Sequence, residues 1–271
     1  MVIGDLKKEI ASLIGNRDAQ LLITGLVNMS VTDYILADKT EIPAEKTLEI
    51  QESAKRIVSG EPLQYVVGMT EFMSLKFHVK DGCLIPRPDT ETLVEKAIEI
   101  IGEKKLSVLD IGTGSGCVAI SIAHYCKNAL VSSVDISEKA LEIAKNNAKL
   151  NNVDVNFIKC DILKEIPKGS YDVIVSNPPY IPTAVIEGLE KNVKDHEPRL
   201  ALDGGNDGLD FYRRITDIAP SLLNKDGTLL YEVGHDQAQD VKKLMEKGFK
   251  NIEIIKDLCG IERTVYGVKK P

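Results

Sequence analysis

Two short segments carry residue types suited to chemistry. Gly112-Thr113-Gly114-Ser115-Gly116 follows the apolar run Val108-Leu109-Asp110-Ile111, and Asn177-Pro178-Pro179-Tyr180 follows the apolar run Val173–Val175. Glycines directly after a strand allow a tight turn into a helix and let a ligand approach the backbone without a Cβ in the way. A dinucleotide fingerprint would need its third glycine where this chain has Cys117, and no lysine follows the loop as in a phosphate-binding P-loop. A pyrophosphate ligand is therefore disfavoured. A charged ligand without phosphate, such as an adenosyl sulfonium with an amino-acid tail, fits better. Asp135 ends the next apolar run, where a carboxylate can accept from both ribose hydroxyls. Asp161 ends the third, in reach of an adenine amine, and Ile162 adds backbone and an apolar edge for the ring. Singly, each acid reads as a helix cap or a loop residue; together with the glycines they read as a cofactor site.

The tetrapeptide Asn177 to Tyr180 marks a turn, as Asn-Pro and Pro-Pro do generally. It also suits a specific reaction. A planar amide nitrogen is a poor nucleophile because its lone pair is delocalised into the carbonyl. Two acceptors aimed at its two N–H bonds hold it and favour pyramidal geometry as a methyl group arrives. Asn177 offers a side-chain oxygen and Pro178 a backbone carbonyl whose direction the prolines fix, while Tyr180 can stack on the planar group. Most of the rate would then come from positioning and electrostatics, with no general base visible. Pro179 completes the expected substrate wall.

These segments need a scaffold, and the apolar periodicity supplies one. Residues 1–80 read as a small helical bundle with a strand-like linker at 70–80. Leu6, Ile10, Leu13 and Ile14 recur at helical spacing, and Asp18 is placed to cap a second helix. Ser30 with Asp33 suits a capping box, and a fourth helix after Pro43 has the face Leu48, Ser53-Ala54 and Ile57-Val58. Alternation through Phe72, Leu75, Phe77 and Val79 predicts the linker strands. Residues 81–271 alternate strand and helix, which predicts an α/β, Rossmann-like domain: a mostly parallel sheet with an antiparallel edge strand, helices on both faces, and the ligand at the carboxyl edge. The two final strands, near Ile252–Ile255 and Thr264–Val268, are expected to form the antiparallel pair.

Composition narrows the function classes. A net charge of −7 works against non-specific attraction to phosphate backbones or anionic lipid, so neither nucleic acid nor membrane is an expected partner. Five scattered cysteines without a CxxC pair fit neither a disulfide framework nor a metal site. No apolar run approaches the ~18 residues of a membrane span, and no secretory h-region follows the charged start. A cytoplasmic protein is expected, with a monomer favoured. The four histidines stand singly and are assigned no catalytic role.

Beyond these readings, Ile85-Pro86-Arg87-Pro88-Asp89-Thr90-Glu91, the run Leu109 to Gly116, and Asn177 to Tyr180 together resemble the bacterial release-factor glutamine methyltransferases. Gln64-Tyr65 with Gly68, Glu197-Pro198 with Ala201-Leu202, Gly204-Gly205 with Asp207-Gly208, and Glu232-Val233-Gly234 are also similar to that family's pattern. The resemblance implies a protein-(glutamine-N5) methyltransferase. Its cofactor would be S-adenosyl-L-methionine and its substrate the Gly-Gly-Gln glutamine of class I peptide chain release factors. It maps cofactor contacts onto Gly112 to Gly116, Asp135, Ile162 and Asn177, and substrate contacts onto Asn177 to Tyr180. Asp110 and Asp161 join the cofactor set from the strand-end reading. The Pro86–Glu91 segment separates this activity from glutamine methylation of a ribosomal protein. Methylation of a nucleic-acid base shares the tetrapeptide but would need a basic face. A non-catalytic adenosyl-binding protein would not need Asn177 and Tyr180. Arg87 is read equally as a substrate or cofactor contact and as a salt-bridging loop residue. Glu197 and Arg199 either structure a lid or face solvent, and Glu232 is a candidate supporting residue.

Overall fold

Leucine and isoleucine stripes at helical spacing close the first unit around an apolar centre. A computed structural model describes residues 1–271. One compact unit comprises Met1–Thr70, Val79–Asp81 and Glu190–His196; the other comprises Glu71–His78, Gly82–Leu189 and Glu197–Pro271. The first unit contains α1 (Ile3–Ile14), α2 (Asn16–Val27), α3 (Val31–Leu36), α4 (Ala44–Val58) and α5 (Leu63–Val67). Leu6, Ile10, Leu22, Ile23 and Ile50 lie at its centre, fully removed from solvent. The Ser30 hydroxyl caps α3, accepting from the Asp33 amide at 3.0 Å.

Two details differ from the sequence reading. Helix α2 begins at Asn16 after Gly15, so Asp18 sits in its first turn, where it complements the helix dipole, and does not cap it. Helix α4 buries Thr47, Ile50, Ser53 and Ala54, leaving Leu48 and Val58 in solvent. The buried stripe is rotated toward Thr47 and Ser53, and the Thr47 hydroxyl is satisfied within the helix by the Pro43 carbonyl at 3.2 Å.

A hairpin follows, β1 (Met69–Phe72) and β2 (Leu75–His78), with Met73 and Ser74 in left-handed conformation at its turn. The second unit then runs α6 (Glu91–Ile101), β3 (Ser107–Ile111), α7 (Cys117–Tyr125), β4 (Leu130–Asp135), α8 (Glu138–Leu150), β5 (Asn156–Lys159) and β6 (Tyr171–Ser176). Three short helices, α9 (Thr183–Ile186), α10 (Lys191–Lys194) and α11 (Arg199–Leu202), precede α12 (Asp210–Leu222) and β7 (Leu223–Glu232). Helix α10 belongs to the first unit. The chain ends with α13 (Ala238–Met245), β8 (Phe249–Lys256) and β9 (Glu262–Lys269).

The seven strands lie in the order β5-β4-β3-β6-β7-β9-β8. The first five are parallel, and β9 runs antiparallel between β7 and β8, so the antiparallel strand lies one place in from the edge. Strand β3 is buried on both faces from Val108 to Ile111, as a central parallel strand must be. One core cluster packs α6, α7 and the hairpin phenylalanines Phe72 and Phe77; the other packs α12 and α13. Successive strands are added to one side of β3 and then to the other. That reversal opens a crevice at the carboxyl ends of β3 and β6.

Candidate active site

Register decides what meets in the crevice. Ile111 pairs with Val134 on one side and Ser176 on the other, and Ser176 pairs with Tyr231. The residues that follow, Gly112, Asp135, Asn177 and Glu232, therefore emerge in one row from four adjacent strands. The Ser176 hydroxyl locks this row by donating to the Ile111 carbonyl at 2.7 Å.

Gly112, Gly114 and Gly116 all have positive φ, at 89°, 52° and 85°. This left-handed backbone turns β3 into α7 and favours glycine. Asp135 accepts from the Gly114 amide at 2.9 Å and the Ser137 amide at 2.8 Å, so its carboxylate is held against the loop. The Asn147 carboxamide braces the loop from behind. It donates to the Ser115 carbonyl at 2.9 Å and to the His78 carbonyl at 3.0 Å, and accepts from the His78 amide at 2.7 Å.

The carboxyl ends enclose a cavity of about 370 Å³, inside the range of roughly 300–1,000 Å³ usual for small-molecule sites. Of the residues singled out from the sequence, Gly112, Thr113, Gly114, Ser115, Asp135, Asp161, Ile162, Asn177, Pro178, Pro179 and Arg87 line it. Asp110, Gly116 and Tyr180 are not in its wall. Gly116 is the residue before α7, at its N-cap, and is packed against the protein: a Cβ there would stand 2.7 Å from Ile120 Cδ1 and 3.0 Å from Ala144 Cβ. Its glycine answers to helix packing as well as to its left-handed backbone. Asp161 lies two residues beyond the end of β5, paired with Lys164 at 2.7 Å, and does not end the strand itself.

The loop Asn177 to Tyr180 is held from two sides. Gly204 lies so close that a Cβ there would come within 2.8 Å of the Pro179 carbonyl and of Tyr180 Cα. Gln237 donates to the Tyr180 carbonyl at 2.9 Å while accepting from the Gly234 amide at 3.1 Å. Tyr180 packs against the core cluster, and burial beside Glu232 pushes its phenol up to about 12.

Four carboxyl groups at this edge are pushed above their usual range, each chiefly by burial. Asp110 rises to about 7, with one oxygen receiving the Ser133 hydroxyl at 2.6 Å and Oδ1 unpartnered. Glu232 also rises to about 7 and leaves Oε2 unpartnered. Asp135 and Glu197 shift upward, the latter although Arg87 donates to both its oxygens at 2.7 and 2.8 Å. Burial outweighs the guanidinium there. Of the two readings of Arg87, the geometry displays the ion pair, on a side chain that still borders the cavity. Glu197 is accordingly buried, whereas Arg199 is exposed and pairs with Glu187 and Asp203.

Sequence reasoning missed Thr90. Its hydroxyl accepts from Asn177 Nδ2 at 3.1 Å and borders the cavity. The only signal was its place inside the Pro86–Glu91 segment. It also missed the apolar wall from Cys83, Ile136, Leu163, Phe211 and Ile215, which no local pattern distinguishes from core.

The description Methyltransferase small domain matches residues 89–192, and PrmC N-terminal domain matches residues 11–68. The release factor glutamine methyltransferase of Clostridium acetobutylicum is 44% identical over 270 residues, covering 97% of this chain and 87% of that protein. The protein of the same name from Bacillus cereus is 39% identical over 255 residues, covering 91% and 90%. Among solved structures, a methyltransferase from Pyrococcus furiosus shares the fold with a TM-score of 0.56. At 20% identity it covers 84% of this chain and 100% of that one.

Proposed function

The chain belongs to the family of release factor glutamine methyltransferases, and on that premise we propose that it transfers a methyl group from S-adenosyl-L-methionine to N5 of the glutamine in the Gly-Gly-Gln segment of class I peptide chain release factors. The observation that carries the reading is the row of Gly112, Asp135 and Asn177 at one sheet edge, with Asn177, Pro178 and Pro179 walling the same cavity as the glycine loop.

The donor set suits an adenosyl sulfonium. The cavity offers carboxylates and backbone to a cationic ligand, and its cations are engaged elsewhere: Arg87 by Glu197, and Lys164 by Asp161. The left-handed glycines add an open-backboned floor. Gly112 to Ser115 would cradle the amino-acid tail, Asp135 the ribose, and Asp161 with Ile162 the adenine. When bound, the cofactor supplies an electrophilic methyl group that needs no metal.

The chain's own residues prepare the nucleophile. Asn177 Oδ1 and the Pro178 carbonyl accept from the two N–H bonds of the substrate amide. Both acceptors gain strength as positive charge develops on nitrogen, so they favour the transition state over the ground state. Tyr180, held by Gln237 and the Gly204 turn and packed against the core, braces the segment from behind. A release factor as substrate places the protein in the cytoplasm. With its acidic charge, the reading needs neither nucleic acid nor a membrane, and a monomer suffices.

The test is methyl transfer from labelled S-adenosyl-L-methionine to an unmodified class I release factor, beside a version whose Gly-Gly-Gln glutamine is alanine. Label in the first alone is expected. Label in both would move the site. Label in neither, with labelling of a ribosomal protein or a nucleic acid, would replace the substrate.

A further inference from the structure

We infer that Glu232 is a positioning residue for methyl transfer: acting through Thr90, it fixes which end of the Asn177 carboxamide faces the cavity. The inference rests on the role proposed above for Asn177.

An asparagine side chain has two ends of nearly equal size and opposite hydrogen-bonding character. Only the oxygen end can accept from the substrate amide. A half-turn about the last side-chain bond would present NH₂ to the substrate's own NH₂, and the wall would repel what it must hold. Something has to choose the end. The contact seen is Asn177 Nδ2 donating to the Thr90 hydroxyl at 3.1 Å. By itself that does not decide the matter, because a hydroxyl both donates and accepts. A carboxylate only accepts. Glu232 follows Tyr231, which pairs with Ser176, the residue before Asn177, so its carboxylate emerges beside the carboxamide. The Thr90 hydroxyl and the Asn177 amide both face it and favour its charged form. With the Thr90 proton drawn toward Glu232, the Thr90 lone pairs turn to Asn177, which must then offer N–H. Oδ1 is left for the cavity.

Glu232 is 2% exposed and its Oε2 has no hydrogen-bond partner, an expensive arrangement for a residue that only filled space. The other groups around it do not supply the same logic. Arg263 on β9 favours its charge but is itself shared with Asp89 and Asp257, at 2.9 and 3.3 Å. Asp89, in the turn before α6, opposes the charge. The Tyr180 and Tyr212 phenols and the Cys117 thiol on α7 stay neutral near Glu232, their ionisation suppressed by burial and by its charge. Its proton is held up to about pH 7, so the carboxylate that orients Asn177 forms as pH rises through that value.

Glu232→Gln keeps the volume and removes the acceptor-only character. Single-turnover methyl transfer to the release factor should fall at least tenfold in this variant, with the dissociation constant for S-adenosyl-L-methionine within twofold of wild type. The wild-type rate should decline below about pH 7, and the variant should lack that limb. Thr90→Val should reproduce the loss. An unchanged rate, or a fall matched by lost cofactor affinity, would overturn the inference. The side-chain NH₂ resonances of Asn177, assigned by their absence in Asn177→Asp, give a second readout without substrate. They should shift through about pH 7 in wild type and stay constant in Glu232→Gln; resonances insensitive to pH in both would also overturn it. A wild-type protein that labels no release factor would sink the proposed function instead, and the titration would still decide the role of Glu232.

Discussion

The helical N-terminal unit and the carboxyl edge of the sheet treat their charges in opposite ways. In the helical unit the acids sit in water beside bases. Lys7 holds the Asp38 carboxyl below its usual range, and Arg56 does the same to Glu61. The interior behind them is Leu, Ile, Val and Ala. At the sheet edge, Asp110, Asp135, Glu197 and Glu232 are withdrawn from water and pushed upward. Asp110 and Glu232 each keep an unpartnered oxygen. Exposed pairs of the first kind contribute little to stability, so the helical unit rests on its apolar core. Buried carboxyls of the second kind oppose folding at neutral pH. Such groups persist where a site needs them for a ligand. The contrast separates a region held by apolar packing from the candidate site, where carboxyls are buried at a cost.

That contrast can be broken at either end. The largest expected effect is on rate: Asn177→Ala removes the acceptor proposed for the substrate amide and should lower methyl transfer by about 10²–10³-fold, the loss typical for one transition-state hydrogen bond. Calorimetric titration should find most of the cofactor affinity intact; near-normal turnover would refute the mechanism. In the helical unit, Leu22→Ala empties a site with no solvent exposure and should cost about 2–5 kcal/mol in denaturant unfolding.

Asp110→Asn should act in the reverse direction. Its carboxyl loses a proton near pH 3.8 when unfolded but near pH 7 when folded. Between those values the folded state binds more protons, so wild-type stability falls as pH rises. The asparagine variant lacks that slope and should be more stable than wild type at pH 7, by roughly 1–4 kcal/mol at about 1.4 kcal/mol per unit. Thermal melts from pH 4 to 8 measure it, and parallel curves would show that the burial of Asp110 costs nothing. The smallest effect is at the helix cap: Ser30→Ala removes the acceptor for the Asp33 amide and should cost ~1 kcal/mol. A loss of methyl transfer from that change would blur the division between the two regions.

Much of the site was legible along the chain. The glycine loop, Asp135 and the Asn177–Tyr180 turn each follow an apolar run. In a parallel sheet every run of that kind delivers its next residue to one edge, so their convergence follows from chain order. The helical bundle was legible for the same local reason, and it erred where burial was inferred from side-chain type alone. Leu48 and Val58 belong to the apolar face that the spacing predicts, yet both face solvent. Gly116, part of the glycine loop in the sequence, also lies close against Ile120 and Ala144, which no local pattern shows.

The amino-acid sequence by itself determined the elements, the sheet edge and the residue types capable of the reaction, because hydrophobic period, turn chemistry and strand ends are local properties. Only the tertiary structure decided the pairs. Arg87 finds Glu197 across 110 positions, Thr90 finds Asn177 across 87, and Glu232 joins them only because β7 is laid beside β6. The upward shifts of Asp110 and Glu232 belong to the assembled chain as well. Desolvation is set by what other strands and helices bring around a group, and no neighbour in sequence can supply it.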